Sequence, residues 1–267
     1  MILEDGLVPP AALPRLRERF LRLFDGVYET GIRPDEVNWV PGRDPEDRTR
    51  QICNGWKADT VVASLVLAEH VGRLAAQLAG WPGVRLLQDN VLWKPPGAKA
   101  IGAHQDSSYA SYLDPPEMIT CWMSLDDLPA DAGPIEYVRG SHRWPRSAPQ
   151  RSQFHAPDDW LAPVRAAAPP GGDPPELVPV VVRAGGGSFH HGLCWHGSPP
   201  NTSASTTRMA LVAHLLPAHA RFHREHVDPV YSRYRRRGDL SLDESFFPVV
   251  WDESGYRTPW LAELPPL

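Results

Sequence analysis

Leu13, Leu16, Phe20, Leu23 and Val27 recur at helical spacing between Pro14 and Gly31, which predicts an amphipathic first helix. Asp59 or Thr60 can cap a second helix that turns Val62, Leu65, Leu74 and Leu78 inward and stops at Gly80 before Pro82. From Val84 the period changes. Residues 84–93 read as a strand closed by Lys94-Pro95-Pro96-Gly97, and further strands fall at 101–109, 118–125, 135–138, 178–183, 188–195 and 208–216. Many short strands between Gly/Pro turns, with helices confined to the front and no strand-helix alternation, predict a mainly β chain with flanking helices. The expected core is a jelly-roll, cupin-like double-stranded β-helix with the N-terminal helices packed on one sheet.

A length of 267 residues fits one large domain. Within it the pattern divides into a helical part at 1–82, a barrel core at 84–216 and a C-terminal wrap at 217–267. Residues 143–177, rich in proline, interrupt the core as a lid-like insertion. Tyr231, Phe246, Phe247, Trp251 and Trp260 anchor the wrap. A formal charge of -5 removes any general electrostatic reason to expect a nucleic-acid partner. The opening MILEDGLVPP carries acids where a secretory signal carries bases, and the most apolar run, 61–68, is too short to cross a bilayer. The expectation is a soluble, cytoplasmic monomer or weak dimer with no membrane partner. Cys53, Cys121 and Cys194 are odd in number and form no CxxC pair, so they read as reduced packing residues.

Chemistry enters at IGAHQDSSY, residues 101–109. In an extended strand His104 and Asp106 project to one side and Gln105 to the other, so an imidazole and a carboxylate converge. That is two thirds of a 2-His-1-carboxylate site for Fe(II). An incidental polar strand is the competing reading of the triplet alone. The third donor is assigned to His196, in the stretch LCWHGSPPN at 193–201, with His190 and His191 as competitors. Arg208 opens the alternating strand RMALVAHLL. A fixed cation facing a barrel interior calls for an anion, and its planar fork suits a carboxylate. Metal, open coordination positions and an anion anchor together suit a 2-oxo acid.

The motifs KPPG (94–97), HQD (104–106), CWMSLDD (121–127), AGPIEYVRGSH (132–142) and HGSPPN (196–201), followed by Arg208, resemble the phytanoyl-CoA dioxygenase family of Fe(II)/2-oxoglutarate oxygenases over roughly 84–216. The resemblance implies iron held by His104, Asp106 and His196, and 2-oxoglutarate held by Arg208 with help from Ser198. Trp122 and Gln88 match positions that line the co-substrate pocket, and Lys57 is a further candidate for it. The implied reaction consumes 2-oxoglutarate and O2, releases succinate and CO2, and oxidises a C–H bond of a small, fairly hydrophobic molecule. Related halogenases replace the carboxylate with a small residue, so Asp106 favours hydroxylation, or cyclisation, desaturation or epimerisation, over halogenation.

Tailoring of a secondary metabolite is the expected role, with hydroxylation of an acyl-CoA or carrier-bound substrate as the alternative. A non-catalytic cupin-like metal-binding protein is the alternative from another class. Trp93, Tyr109, Tyr112 and Trp195 are the aromatic residues expected around the site. His190 and His191 read as pocket residues, His142 as a turn residue and His214 as core. The His219, His223 and His226 series reads as a solvated face, as does the Arg233-Tyr234-Arg235-Arg236-Arg237 cluster.

Overall fold

The computed structural model describes residues 1–150 and 154–267, so residues 151–153 of the expected insertion lie outside the described residues. Helix α1 (Leu13–Phe24) buries Leu16, Phe20 and Leu23 as its spacing predicts. It ends at Gly26, whose φ of 77° takes the chain out of the helical region, so Val27 is exposed rather than inward. The predicted second helix is two, α2 (Thr60–Val66) and α3 (Glu69–Ala79). Asp59 caps α2 by accepting from the Val61 and Val62 amides at 2.9 and 3.0 Å. Ala68 is extended between the helices, and the Leu67 carbonyl there accepts from Arg257 Nη2 at 2.8 Å. Gly80, left-handed, closes α3 and leaves Leu78 exposed.

Together 60–79 form a helical stretch long and apolar enough, by length and composition, to cross a bilayer, which the shorter run at 61–68 did not suggest. Yet 56% of its most apolar window is buried against the rest of the chain, as in the core helices of a globular fold.

The strands are β1 (Ile2–Glu4), β2 (Glu36–Val37), β3 (Arg50–Cys53), β4 (Gly83–Lys94), β5 (Ile101–His104), β6 (Leu113–Asp114) and β7 (Ile119–Ser124). They continue as β8 (Glu136–Val138), β9 (Leu177–Pro179), β10 (Gly187–His191), β11 (His196–Ser198), β12 (Arg208–Pro217), β13 (Arg221–Phe222) and β14 (Val249–Asp252). A short helix, α4 (Ala162–Ala167), lies in the insertion. An eight-stranded antiparallel sheet runs β1-β10-β7-β12-β4-β3-β2, with β14 also paired to β4. A four-stranded sheet runs β5-β11-β8-β9. The chain is thus a mainly β jelly roll with few helices, as expected. The larger sheet extends beyond the 84–216 core, because β1 to β3 and β14 complete its edges.

Alternation along the central strands divides core from cavity. On β12, Leu211, Ala213 and Leu215 join the cluster that packs against α1 to α3, while Arg208, Val212 and His214 line an internal cavity of about 460 Å³. On β7, Cys121 and Met123 face the helices, and Thr120 and Trp122 the cavity. Phe247 and Tyr231 from the C-terminal wrap pack with Tyr112 and Phe222 in a second cluster.

One ionisable group sits on the helix side of β4. Asp89 Oδ1 accepts from the Trp56 amide at 3.0 Å, while its Oδ2 has no partner among the described residues. Burial pushes this carboxyl up to about 7. In the unfolded chain an aspartate titrates near 3.9, so folding is opposed once Asp89 must ionise: stability is greatest below about pH 4 and falls as the pH rises toward 7. Asp89→Asn should flatten that window and be the more stable protein at pH 8, with the gap opening by up to ~1.4 kcal/mol per pH unit. Urea unfolding of both proteins at pH 5 and pH 8 checks this; an equal gap at both values would refute it.

Candidate active site

The antiparallel register of β11 with β5 sets His196 directly opposite His104. Strand β5 ends at His104, and Asp106 begins a 3-10 turn (Asp106–Tyr109) rather than continuing the strand. The convergence survives because Gln105 between them stays extended, with φ -115° and ψ 127°. The Gln105 side chain points away, its Nε2 donating to the Leu193 carbonyl at 2.9 Å and its Oε1 accepting from the Ser147 amide at 2.8 Å.

The donor geometry is one that could hold a metal ion. His104 Nδ1 lies 2.8 Å from the Gly102 carbonyl and His196 Nδ1 3.0 Å from the Cys194 carbonyl. A carbonyl only accepts, so both imidazoles carry their proton on Nδ1 and present a lone pair on Nε2. Those Nε2 atoms lie 3.4 and 3.6 Å from Asp106 Oδ1, and all three ligand atoms fall within 4.8 Å of one another. Among the described residues this is the His/Cys/Asp/Glu group with such geometry. Burial drives the His196 imidazole well below its usual range, keeping it neutral as a ligand must be. For Asp106 burial acts upward, but His196, His214 and the hydrogen bonds of His104 and His190 outweigh it and hold the carboxyl well below its usual range.

The other oxygen of Asp106 is held by a braced network. Oδ2 accepts from Thr120 Oγ1 at 2.6 Å and from His190 Nε2 at 2.9 Å. Behind them, Tyr137 Oη stands 2.9 Å from His190 Nδ1, and His214 Nδ1 stands 3.0 Å from Thr120 Oγ1. His190 is therefore turned to the far side of the carboxylate, while His196 joins His104 on the near side. His214, expected as core, lines the cavity instead. Thr120 and Tyr137 were missed by sequence reasoning; alternation could have placed Thr120 inward, but nothing local pairs it with Asp106. Thr120→Val should lower Fe(II) affinity by about 10- to 100-fold, since it frees one carboxylate oxygen without emptying the site. Fe(II) titration under nitrogen reads this, and unchanged affinity would mean that His190 alone fixes Asp106.

Where Arg208 lines one end of the cavity, two basic side chains are buried side by side. Arg208 is 2% exposed and Lys94, its register partner on β4, is 0% exposed. Arg208 Nη1 donates to the Gly133 carbonyl at 2.5 Å, but its Nε has no partner among the described residues. Burial pulls its guanidinium down to about 10, and burial together with Arg208 holds the Lys94 amine well below its usual range. Lys94 Nζ donates to Ser198 Oγ at 2.8 Å, and Trp122 lies with its ring centroid 6.0 Å from the Arg208 guanidinium carbon. Arg208, Ser198 and Trp122 thus meet at one anion-seeking end.

The other two candidates for the co-substrate pocket are not brought there. Gln88 lines the cavity, but it pairs with His214, six residues along β12 from Arg208, or about 20 Å of strand. A five-carbon diacid cannot span that distance, and Gln88 is engaged by Asn90 and Tyr231. Lys57 is outside the cavity lining altogether, bound to Asp35 at 2.8 Å and Tyr234 Oη at 2.9 Å. Of the expected aromatic surroundings, Tyr109 and Tyr112 line the cavity. Trp93 packs with Phe24 and Trp39, and Trp195 with Ala103 and Val138. His223, half-buried, and His226, exposed, stack with ring centroids 4.2 Å apart, away from the cavity lining.

A family model described as phytanoyl-CoA dioxygenase (PhyH) matches residues 1–210. No curated protein matches the chain. Among solved structures, the non-heme alpha ketoglutarate dependent carbocyclase SnoK from nogalamycin biosynthesis is 24% identical with a TM-score of 0.70, covering 94% of this chain and 92% of its own. The epimerase SnoN, solved with Fe3+, alpha ketoglutarate and nogalamycin RO, is 21% identical with a TM-score of 0.70 over 94% and 93%. HygX from Streptomyces hygroscopicus, solved with nickel, 2-oxoglutarate and hygromycin B, is 19% identical with a TM-score of 0.53 over 82% and 83%. These likenesses establish a common fold.

Proposed function

Since the chain belongs to the phytanoyl-CoA dioxygenase family, we propose that it is an Fe(II)- and 2-oxoglutarate-dependent oxygenase acting on a C–H bond of a small molecule, with His104, Asp106 and His196 holding the iron and Arg208 the distal carboxylate of the co-substrate. The observation that carries this reading is the conjunction in one cavity of two Nε2 lone pairs, a carboxylate and a buried guanidinium whose Nε lacks a partner. The donor set suits Fe(II), and the buried Arg208 guanidinium suits a carboxylate, because burying a cation without an anion is costly.

When bound, iron and 2-oxoglutarate supply the oxidising chemistry, in which O2 and the co-substrate yield succinate and CO2 while the substrate is oxidised. The protein contributes placement. Thr120 and His190 keep one Asp106 oxygen occupied, so the other faces the histidines. Lys94 holds Ser198 two residues beyond His196, coupling the anion end to a ligand strand. Phe154, 4.7 Å from the His104 ring between centroids, and Tyr109, 6.1 Å from it, wall the site and exclude water.

Tailoring of a natural product with apolar faces is the role we assign. The small-molecule complexes of SnoN and HygX support it, as do the aromatic walls. Asp106 favours an oxygenase-type outcome over halogenation. Succinate formation from 2-oxoglutarate with Fe(II) and ascorbate tests the reading. Protein that binds iron stoichiometrically yet forms no succinate, coupled or uncoupled, would be a metal-binding cupin and not an oxygenase.

A further inference from the structure

The hydrogen bonds around Asp106 do not stop at Thr120. A row of side chains continues them across the cavity wall, and at each step the partners decide which atom gives a proton and which takes one. The row starts outside the cavity. The Trp56 indole can only donate, and its Nε1 donates to Asn54 Oδ1 at 3.0 Å, while Asp35, ion-paired with Lys57 at 2.8 Å, accepts from Asn54 Nδ2 at 2.7 Å. The Asn54 amide, on a residue 1% exposed, is therefore held one way round from both ends.

The same Nδ2 lies 3.4 Å from the Tyr231 hydroxyl, which accepts from it and donates to Gln88 Oε1. With its oxygen taken, Gln88 turns Nε2 to Asn90 Oδ1 at 2.6 Å, and Asn90 presents Nδ2 to His214 Nε2 at 3.0 Å. A ring nitrogen facing an N–H carries a lone pair, so the His214 proton sits on Nδ1, facing Thr120 Oγ1 at 3.0 Å. The Thr120 oxygen accepts there, and its own hydrogen is left for Asp106 Oδ2 at 2.6 Å. Every bond from Trp56 to Asp106 thus points the same way, an arrangement in which each bond polarises the next.

Strand register makes the row continuous. Gln88 on β4 lies opposite His214 on β12, which lies opposite Thr120 on β7, and Asn90 is one alternation from Gln88 on the same face. Packing alone would leave the two ends of each amide interchangeable; here an indole donor and a carboxylate acceptor decide them. Reversal has a defined consequence. If Asn90 presented Oδ1, the His214 proton would move to Nε2, and the Nδ1 lone pair would compete with Asp106 for the Thr120 hydrogen.

We propose that Gln88 and Asn90 are positioning residues for the iron site: by fixing the tautomer of His214 they commit the Thr120 hydroxyl to Asp106 Oδ2 and leave Oδ1 to the metal. This rests on the reading of Asp106 as an iron ligand and deepens it, giving Gln88 a part other than contact with the co-substrate.

Gln88→Glu reverses the row with a change of one atom. At pH 8 a carboxylate accepts from Tyr231 but cannot donate to Asn90 Oδ1, so Asn90 turns its Nδ2 to residue 88 and its Oδ1 to His214. The direct readout is the His214 ring in the isotope-labelled, full-length chain without metal, observed by long-range proton–nitrogen correlation, with His214→Asn identifying its signals. Wild type should show the proton on Nδ1 and Gln88→Glu on Nε2. Fe(II) affinity, titrated under nitrogen, should fall by about tenfold in Gln88→Glu. The added negative charge would by itself draw a cation in, so the sign separates the two effects. In a Thr120→Val background the same substitution should cost nothing more, because no hydroxyl is left to redirect.

Thermal melts confirm that the variants are folded, and if Gln88→Glu is not, the wild-type tautomer still decides. A wild-type His214 proton on Nε2 would overturn the proposal. So would a proton retained on Nδ1 or undiminished iron affinity in folded Gln88→Glu, or additive losses in the double variant. The tautomer is read without metal, and uncoupled succinate formation by the wild type reports on the oxygenase reading, so the two can fail independently.

Discussion

His196→Ala should abolish stoichiometric Fe(II) binding and, with it, succinate formation. Loss of a hydrogen-bonding partner behind a ligand commonly costs about 10- to 100-fold in metal affinity, and loss of a donor atom itself should exceed that. The variant should still fold, because among the described residues the one hydrogen bond its side chain donates is to the Cys194 carbonyl. The matching control is His190→Ala, which removes a neighbour whose Nε2 lies 2.9 Å from Asp106 Oδ2 rather than on the side of Oδ1. That variant should weaken iron binding without eliminating it. Retention of one iron at unchanged affinity in His196→Ala, together with loss in His190→Ala, would exchange the roles of the two residues.

Arg208→Ala should leave Fe(II) binding in place and weaken 2-oxoglutarate. Truncating one partner of a buried, hydrogen-bonded charge pair costs about 2–5 kcal/mol, or about 30- to several-thousand-fold in dissociation constant. Lys94 does not rescue the loss: its ammonium is committed to Ser198 and the Pro199 carbonyl, and burial disfavours its charge. Arg208→Lys should recover only part of the affinity, since an ammonium lacks the planar fork. Dialysis of labelled 2-oxoglutarate against iron-loaded protein measures both, with a metal titration alongside. Loss of iron and co-substrate together would point to a collapsed sheet at β12, and unchanged affinity would remove Arg208 from the anion site.

These expectations depend unequally on sequence and on tertiary structure. Features carried by local periodicity were legible in the chain: the inward stripe of α1, the alternation on β4, β7 and β12, and the jelly-roll class that follows from many strands with helices only at the front. So was the convergence of His104 with Asp106, because a two-residue spacing depends only on the extended backbone of Gln105. Motif order was enough to single out His196 and Arg208, and the fold brings both into the cavity with the other two.

Contacts between distant segments decided the rest. The pairing of His196 with His104 is a matter of strand register between residues 92 positions apart, and no local window of sequence contains it. Thr120, Tyr137, His190 and His214 brace Asp106 from β7, β8, β10 and β12, so their joint role exists only once those strands are stacked. Gln88 and Lys57 show the converse: each has a side chain suited to an anion, but register sets Gln88 far from Arg208 and folding hands Lys57 to Asp35. The short outer strands β1, β2 and β14, and β3 between β2 and β4, are too brief to show a period and form because a neighbour offers unpaired backbone. Local periodicity thus determined which residues face inward, while the long-range pairing of strands, invisible to any local pattern, decided which of them meet.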